Sequence, residues 1–146
     1  MEASQREAIE RLLQFLPIFE DPGFVAATWP ERFYTNAEGK QVMNMPYPDY
    51  HPSVEEFRNQ YPALVMGIHP YEPLPEDQTQ EGIPFSVTGA TFTEEYFDKA
   101  SIDQIRRYLM LLSRGERFCD GHIDGEFRTG KVVMALRRLA VLVKQD

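Results

Sequence analysis

The sequence predicts a mostly α-helical α+β fold, with about five helices around one core, a small β-hairpin and a long Pro-rich loop. Three observations carry this expectation. Apolar residues recur at three- and four-residue spacing towards both ends of the 146-residue chain, as Ile9, Leu12, Leu13, Leu16 and Phe19 and again as Ile102, Ile105, Leu109 and Leu112. Two short β-prone runs flank a glycine-containing turn at Asn36 to Lys40. Residues 67–84 carry Pro70, Pro73, Pro75 and Pro84 among acidic side chains, a composition that resists both helix and central strand. A chain of this length can bury about two-thirds of the surface its unfolded form exposes, so one domain over residues 1–146 is expected without disulfides or a structural metal.

Three Ser-x-x-Glu/Gln patterns mark helix starts, at Ser4–Glu7, Ser53–Glu56 and Ser101–Gln104. In each, the serine oxygen is expected to accept from a free amide of the first turn while the Glu or Gln reaches back to the serine amide. Pro17 should end or kink the first helix. Phe33-Tyr34-Thr35 and Gln41 to Met45 then form a hairpin in which Gly39 supplies a positive φ. Two strands alone are marginal, so the hairpin is expected to lie against a helix with Trp29 as a packing anchor. The next helix runs from Val54 to about Tyr61 and ends near Pro62 or resumes through Ala63 to Met66. Phe85 to Thr88 with Thr91-Phe92 suggest a short extended segment, followed by a turn or two of helix after Thr93. On the helix after Ser101, Arg107 and Arg114 should project from the face opposite the apolar stripe, with Asp103 pairing Arg107 at four-residue spacing. The run Val132 to Val143 is apolar except for Arg137 and Arg138. Such a helix is either the centre of the domain or a face shared with a second subunit.

Charge and composition narrow the function. The net charge is −8, but residues 1–100 sum to −11 and residues 101–146 to +3. An acidic body repels nucleic acid and anionic membranes at long range, so neither is an expected partner. Nucleic-acid binding would need Arg106, Arg107, Arg114, Arg137 and Arg138 to share one face. Cys119 is the one cysteine, which fits a reducing compartment. No run reaches the length of a membrane span, and the first residues lack the basic-then-apolar order of a signal peptide, so a cytoplasmic protein is expected.

Several fragments identify a likeness: Leu16-Pro17-Ile18-Phe19-Glu20 followed by Trp29, Met45-Pro46-Tyr47 with Tyr50 entering a helix at Val54 to Phe57, and above all Arg114-Gly115-Glu116-Arg117-Phe118-Cys119-Asp120-Gly121. Gly130 and Leu136-Arg137-Arg138-Leu139 follow in the same order. In these the chain resembles an uncharacterised bacterial domain-of-unknown-function family of small single-domain proteins. Residues 67–84 have no counterpart in it. The resemblance implies a small bacterial helical domain and no chemistry.

The segment Cys119 to Glu126 gathers more functional side-chain types than any other. A calcium loop would use positions 120, 122, 124 and 126 with Gly125 sixth, but places Lys131 where a bidentate carboxylate is needed. Zinc would find Cys119, His122 and a carboxylate, with His51 and His69 remote in the sequence. A Cys119 nucleophile would need Arg117 or His122 to lower its pKa, with Asp120 or Asp124 orienting the histidine. Against these stand structural readings: Cys119 as a small buried residue, Arg117 pairing Asp120 or Glu116 across the turn, and Asp120 capping a helix that begins near Gly121. An anion site would join Arg114 and Arg117 at that helix start. Tyr47, Tyr50 and His51 would line one wall of a pocket or simply pack.

No intact motif calls for a cofactor or a metal. The expected function is a non-enzymatic protein-interaction or self-association module, with a protein partner or a second copy as its target. The alternative is a small-molecule-binding or hydrolytic enzyme with a ligand or anion site around Arg114, Arg117, Cys119, Asp120 and His122.

Overall fold

The last helix of the chain occupies the centre of the molecule. In the computed structural model, which describes residues 1–45, 47–78, 82 and 85–146, α8 (Lys131–Gln145) packs against α1 (Ala3–Leu13), α2 (Leu16–Glu20), α5 (Glu94–Lys99), α6 (Ile102–Phe118) and α7 (His122–Arg128). Val132, Ala135, Leu136 and Leu139 are buried. Within the chain the apolar run 132–143 holds the central place, with Val141 exposed and Val133, Met134, Leu142 and Val143 partly so. The remaining helices, α3 (Pro52–Gln60) and α4 (Pro62–Val65), close the core against α1 and α6. The architecture is α+β and mostly helical, with six helices of six or more residues and two single-turn ones among the described residues. None of these helices is long and apolar enough to cross a membrane.

Aromatic side chains fill two parts of the core. Phe19 meets Phe57 and Phe127 edge-to-face at centroid distances of 5.4 and 4.8 Å, while Tyr108 meets Phe92 and Phe97 at 5.0 Å each. Edge-on contacts of this kind align the positive ring edge with a neighbour's negative face, which favours one arrangement over a loosely filled interior.

Helix starts follow local chemistry, with two shifts. The box at Ser101 forms as expected, Ser101 Oγ accepting from Gln104 N at 3.1 Å and Gln104 Oε1 from Ser101 N at 3.0 Å. Ser4 instead lies inside α1, and Ser53 inside α3. The cap of α3 is His51, whose Nδ1 accepts from Ser53 N at 3.1 Å. Pro52 explains the shift, because its fixed φ and missing N–H suit the first helical position and start the helix two residues early. Pro17 acts likewise: the chain breaks after Leu13, and Pro17 sits in the first turn of α2. Pro62 opens α4, so the helix after Val54 resumes beyond its break. Residues 85–88 form no strand and lead into a 3-10 turn at Gly89–Thr91. Thr93 then caps α5 through Tyr96 N.

Strands β2 (Phe33–Thr35) and β3 (Gln41–Met43) pair antiparallel with Phe33 opposite Met43, and Gly39 turns at φ 78° as expected. A second pair extends the ribbon at its base, β1 (Ala27–Thr28) against β4 (Asp49–Tyr50). The hairpin does not lie against a helix. Only its base is held by the body, where Ala27 is buried, and the tip stands out as an arm.

The largest departure from expectation is Arg107, which is fully buried. The Pro-rich loop covers this face of α6, and Asp77 from that loop binds the Arg107 guanidinium through both oxygens, one of them at 2.9 Å from Nη2. Tyr96 and the Glu72 carbonyl accept further bonds, and Phe85 lies 5.1 Å beneath the guanidinium. Asp103 pairs with Arg106 instead, at 2.8 Å. Burial pushes the Asp77 carboxyl up, but Arg107, the Leu74 amide and Gln104 together hold it below its ordinary value.

A carboxyl held low stabilises the fold above its unfolded pKa of 3.8 and loses that contribution as pH falls through the lower folded value. Asp77→Ala is expected to cost about 3 kcal/mol, since it leaves a buried guanidinium unpaired. Urea titrations of both proteins between neutral and acid pH check this: the difference should shrink on acidification.

Candidate functional site at the turn between α6 and α7

The turn joining α6 to α7 contains the Arg114 to Gly121 segment and is built by two glycines and one carboxylate. Gly115 lies in α6 directly against the His122 imidazole, so that a methyl group there would overlap the ring. Gly121 turns the chain at φ 88° with its α-carbon against the Trp29 ring, which excludes a side chain on both counts. Glu116 supplies the cap of α7. Its Oε2 accepts from Gly121 N at 2.8 Å and its Oε1 from Ile123 N at 3.2 Å. The same Oε1 accepts from the Tyr50 hydroxyl, which in turn accepts from Asp124 N at 3.2 Å. Burial, and then the bond to Glu116, push the Tyr50 phenol well above its ordinary pKa, so it stays a donor. Asp124 completes the junction: its buried Oδ2 accepts from Trp29 Nε1 at 2.9 Å and Arg128 Nε at 2.8 Å.

The two faces of α7 do different things. Asp124 and Glu126 stand two residues apart, hence about 200° around the helix. Asp124 faces the base of the arm, while His122 and Glu126, one turn apart, face a cleft on the other side. This cleft, of about 180 Å³, lies between α6, α7 and residues 87–92. Val87, Phe92, Leu111, Leu112 and Phe118 give it an apolar lining, and Tyr71, Tyr108, Arg114, His122 and Glu126 contribute polar groups. Glu126 lies 3.7 Å from His122 Nε2 and 3.5 Å from Lys131 Nζ. The Arg114 guanidinium sits 5.5 Å over the Tyr71 ring. Burial, and then the Glu126 charge, push the Tyr108 phenol up.

Of the five residues expected to share a site, Arg114 and His122 line the cleft and the other three do not. Arg117, Cys119 and Asp120 are exposed. Cys119 is not the buried residue of the structural reading; its Sγ lies 4.0 Å from the Asp120 carbonyl, while His122 turns to Glu126. The cap of α7 comes from Glu116 rather than Asp120. Because residues 122–128 are helical, Asp124 and Glu126 diverge, and among the described residues no three His, Cys, Asp or Glu side chains converge as metal ligands do. Tyr47, Tyr50 and His51 also separate: Tyr47 is exposed, Tyr50 joins Glu116, and His51 caps α3. The five arginines of the nucleic-acid reading share no face, for Arg107 is buried, Arg137 binds Glu20, and Arg138 donates to the Ala100 carbonyl. Sequence reasoning missed Trp29 and Asp124 as partners, Tyr108, and the capping role of Glu116. The available signal was the spacing of Gly115, Glu116 and Gly121, which suits a close approach followed by a left-handed turn.

Gly115→Ala is expected to cost about 1 to 3 kcal/mol by forcing the His122 ring aside. In Gly115→Ala/His122→Ala the obstruction is gone, so thermal melts should show the double variant more stable than Gly115→Ala alone.

No curated protein and no solved structure matches the chain. A family model matches residues 4–145, from the start of α1 to the end of α8 and including the arm and the cleft. The chain therefore belongs to DUF6508, a family of unknown function.

Proposed function

We propose that this chain is a non-enzymatic protein-interaction module of the bacterial cytoplasm that self-associates through its β-arm. The observation that carries this reading is the arm itself. Phe33, Tyr34 and Met43 on a two-stranded ribbon, and Met45 and Tyr47 just beyond it, are each about half exposed or more, and the ribbon's edges carry no further strand among the described residues. Phe33 and Met43 sit directly opposite each other and form an apolar cross-strand pair on one face. Exposed ribbons of this kind offer both apolar area and open backbone groups to another strand.

A second copy suits the arm because its charges cancel. Residues 31–45 hold Glu31 and Glu38 against Arg32 and Lys40, within a chain of net charge −8. Two acidic bodies repel, whereas two neutral arms can meet along the faces that carry Phe33 and Met43 without adding net charge to the contact. A twofold pairing of one patch with itself is the commonest solution for such surfaces. The apolar run of α8 packs on five other helices, and the reading rests on the arm rather than on the partly exposed residues of that run. The cytoplasmic placement rests on the single, exposed Cys119, which a reducing compartment tolerates.

Light scattering over a range of concentrations tests the proposal. The expected result is a dimer that dissociates on dilution. Phe33→Asp/Met43→Asp should weaken it by at least about tenfold, equivalent to about 1.4 kcal/mol, with little change in thermal stability. A monomer at every concentration, or a dimer insensitive to both substitutions, would sink it.

A further inference from the structure

The cleft beside α7 has features that the arm does not explain. Its volume of about 180 Å³ exceeds the roughly 150 Å³ in which an apolar protein cavity accommodates benzene. Phe92 and Leu112 at its wall are buried members of the core, so this surface is fixed by the packing of α6. Four buried side-chain polar atoms lack a hydrogen-bond partner among the described residues, and two of them belong to residues that line this cleft. One is the hydroxyl of Tyr108, a side chain only 1% exposed, and the other is Nε of Arg114. Buried polar atoms in folded proteins are nearly always satisfied, and the two on cleft-lining residues sit beside a space that a partner from outside the chain can enter.

The charges at the cleft select the sign of that partner. Glu126 is already balanced by Lys131 and flanked by His122. Arg114 has no carboxylate within ion-pair distance among the described residues, and its guanidinium is held over Tyr71 rather than by an acid. The unbalanced charge is therefore positive, and a guanidinium fork matches a carboxylate in two parallel bonds. One arginine in a mainly apolar lining is a poor match for a phosphate dianion, whose remaining oxygens would lose water against Phe92 and Leu111 without replacement.

We infer that this cleft binds a small organic carboxylate with an apolar, ring-sized body, the carboxylate on Arg114 and the body against Phe92, Leu111 and Leu112. The Tyr108 hydroxyl donates to the same carboxylate, supplying the partner it lacks within the chain. The inference is independent of the arm, because the arm meets the other side of α7 through Trp29 and Asp124.

The test is a titration of the full chain with phenylacetate, followed by amide shifts in NMR and by calorimetry. Acetate supplies the charge without the body, and phenylethanol the body without the charge. Saturable binding of phenylacetate is expected, with phenylethanol and Arg114→Met weaker by at least about tenfold through loss of charge-assisted hydrogen bonds, and acetate weaker by at least about tenfold through loss of the apolar contact. Arg117→Met, exposed and outside the cleft, should bind as the parent does, and so should Phe33→Asp/Met43→Asp. Tyr108→Phe removes a hydroxyl without an internal partner and should fold normally while binding several-fold more weakly, which keeps the test open if Arg114→Met is unstable. No saturable binding of phenylacetate overturns the inference. Equal affinity in Arg114→Met, or acetate or inorganic phosphate binding as tightly as phenylacetate, overturns it too.

Discussion

Around the carboxylate of Glu116 meet three parts of the chain that are distant in sequence: the C-terminal turn of α6, the first amides of α7, and the phenol of Tyr50 at the base of the arm. A carboxylate in this position satisfies donors that the start of a helix otherwise leaves open, and its negative charge suits the positive end of the α7 dipole. Without it, two amides and one hydroxyl would be left in a largely buried junction, each at a cost comparable to a lost hydrogen bond. The direction of α7 depends on this anchor. Since α7 carries Asp124 to the arm and His122 with Glu126 to the cleft, one side chain sets the geometry of both surfaces.

The helical skeleton was legible because its signals are local. Ser101 and Gln104 form their reciprocal cap from chemistry contained in four residues, and the stripe Ile105, Leu109, Leu112 is buried as its spacing requires. Gly39 turns the hairpin for an equally local reason. What was not legible depends on segments that meet only in three dimensions. Arg107 reads as a surface residue by helical periodicity, and becomes interior because a loop some thirty residues earlier brings Asp77 over it. Trp29 reads as a core anchor, and is instead a half-exposed donor to Asp124, ninety-five positions away.

The candidate site shows the same division. Periodicity within α7 pairs His122 with Glu126, but nothing local separates Arg114 from Arg117, which are three residues apart on one helix. The difference arises from what lies opposite: Tyr71 and residues 87–89 enclose Arg114, while Arg117 faces water. Cys119 and Asp120, prominent as residue types, fall on the outer side of a turn whose inner side is occupied by Glu116 and the Trp29 ring. Residue chemistry marked the segment, and the tertiary packing divides its side chains between the cleft and the solvent.

The central position of α8 has a consequence for how the molecule is made. α1 and α2 pack on a helix whose residues follow theirs by more than a hundred positions, and α5, α6 and α7 share that same support. As the chain emerges from the ribosome, α1 and α6 can meet α3, α4 and α7, but the part of each stripe that packs on α8 stays open until residues 131 onward are synthesised. Contacts of such long sequence separation close late and expose sticky surface meanwhile. The net charge of −11 over residues 1–100 disfavours contact between two such chains during that interval.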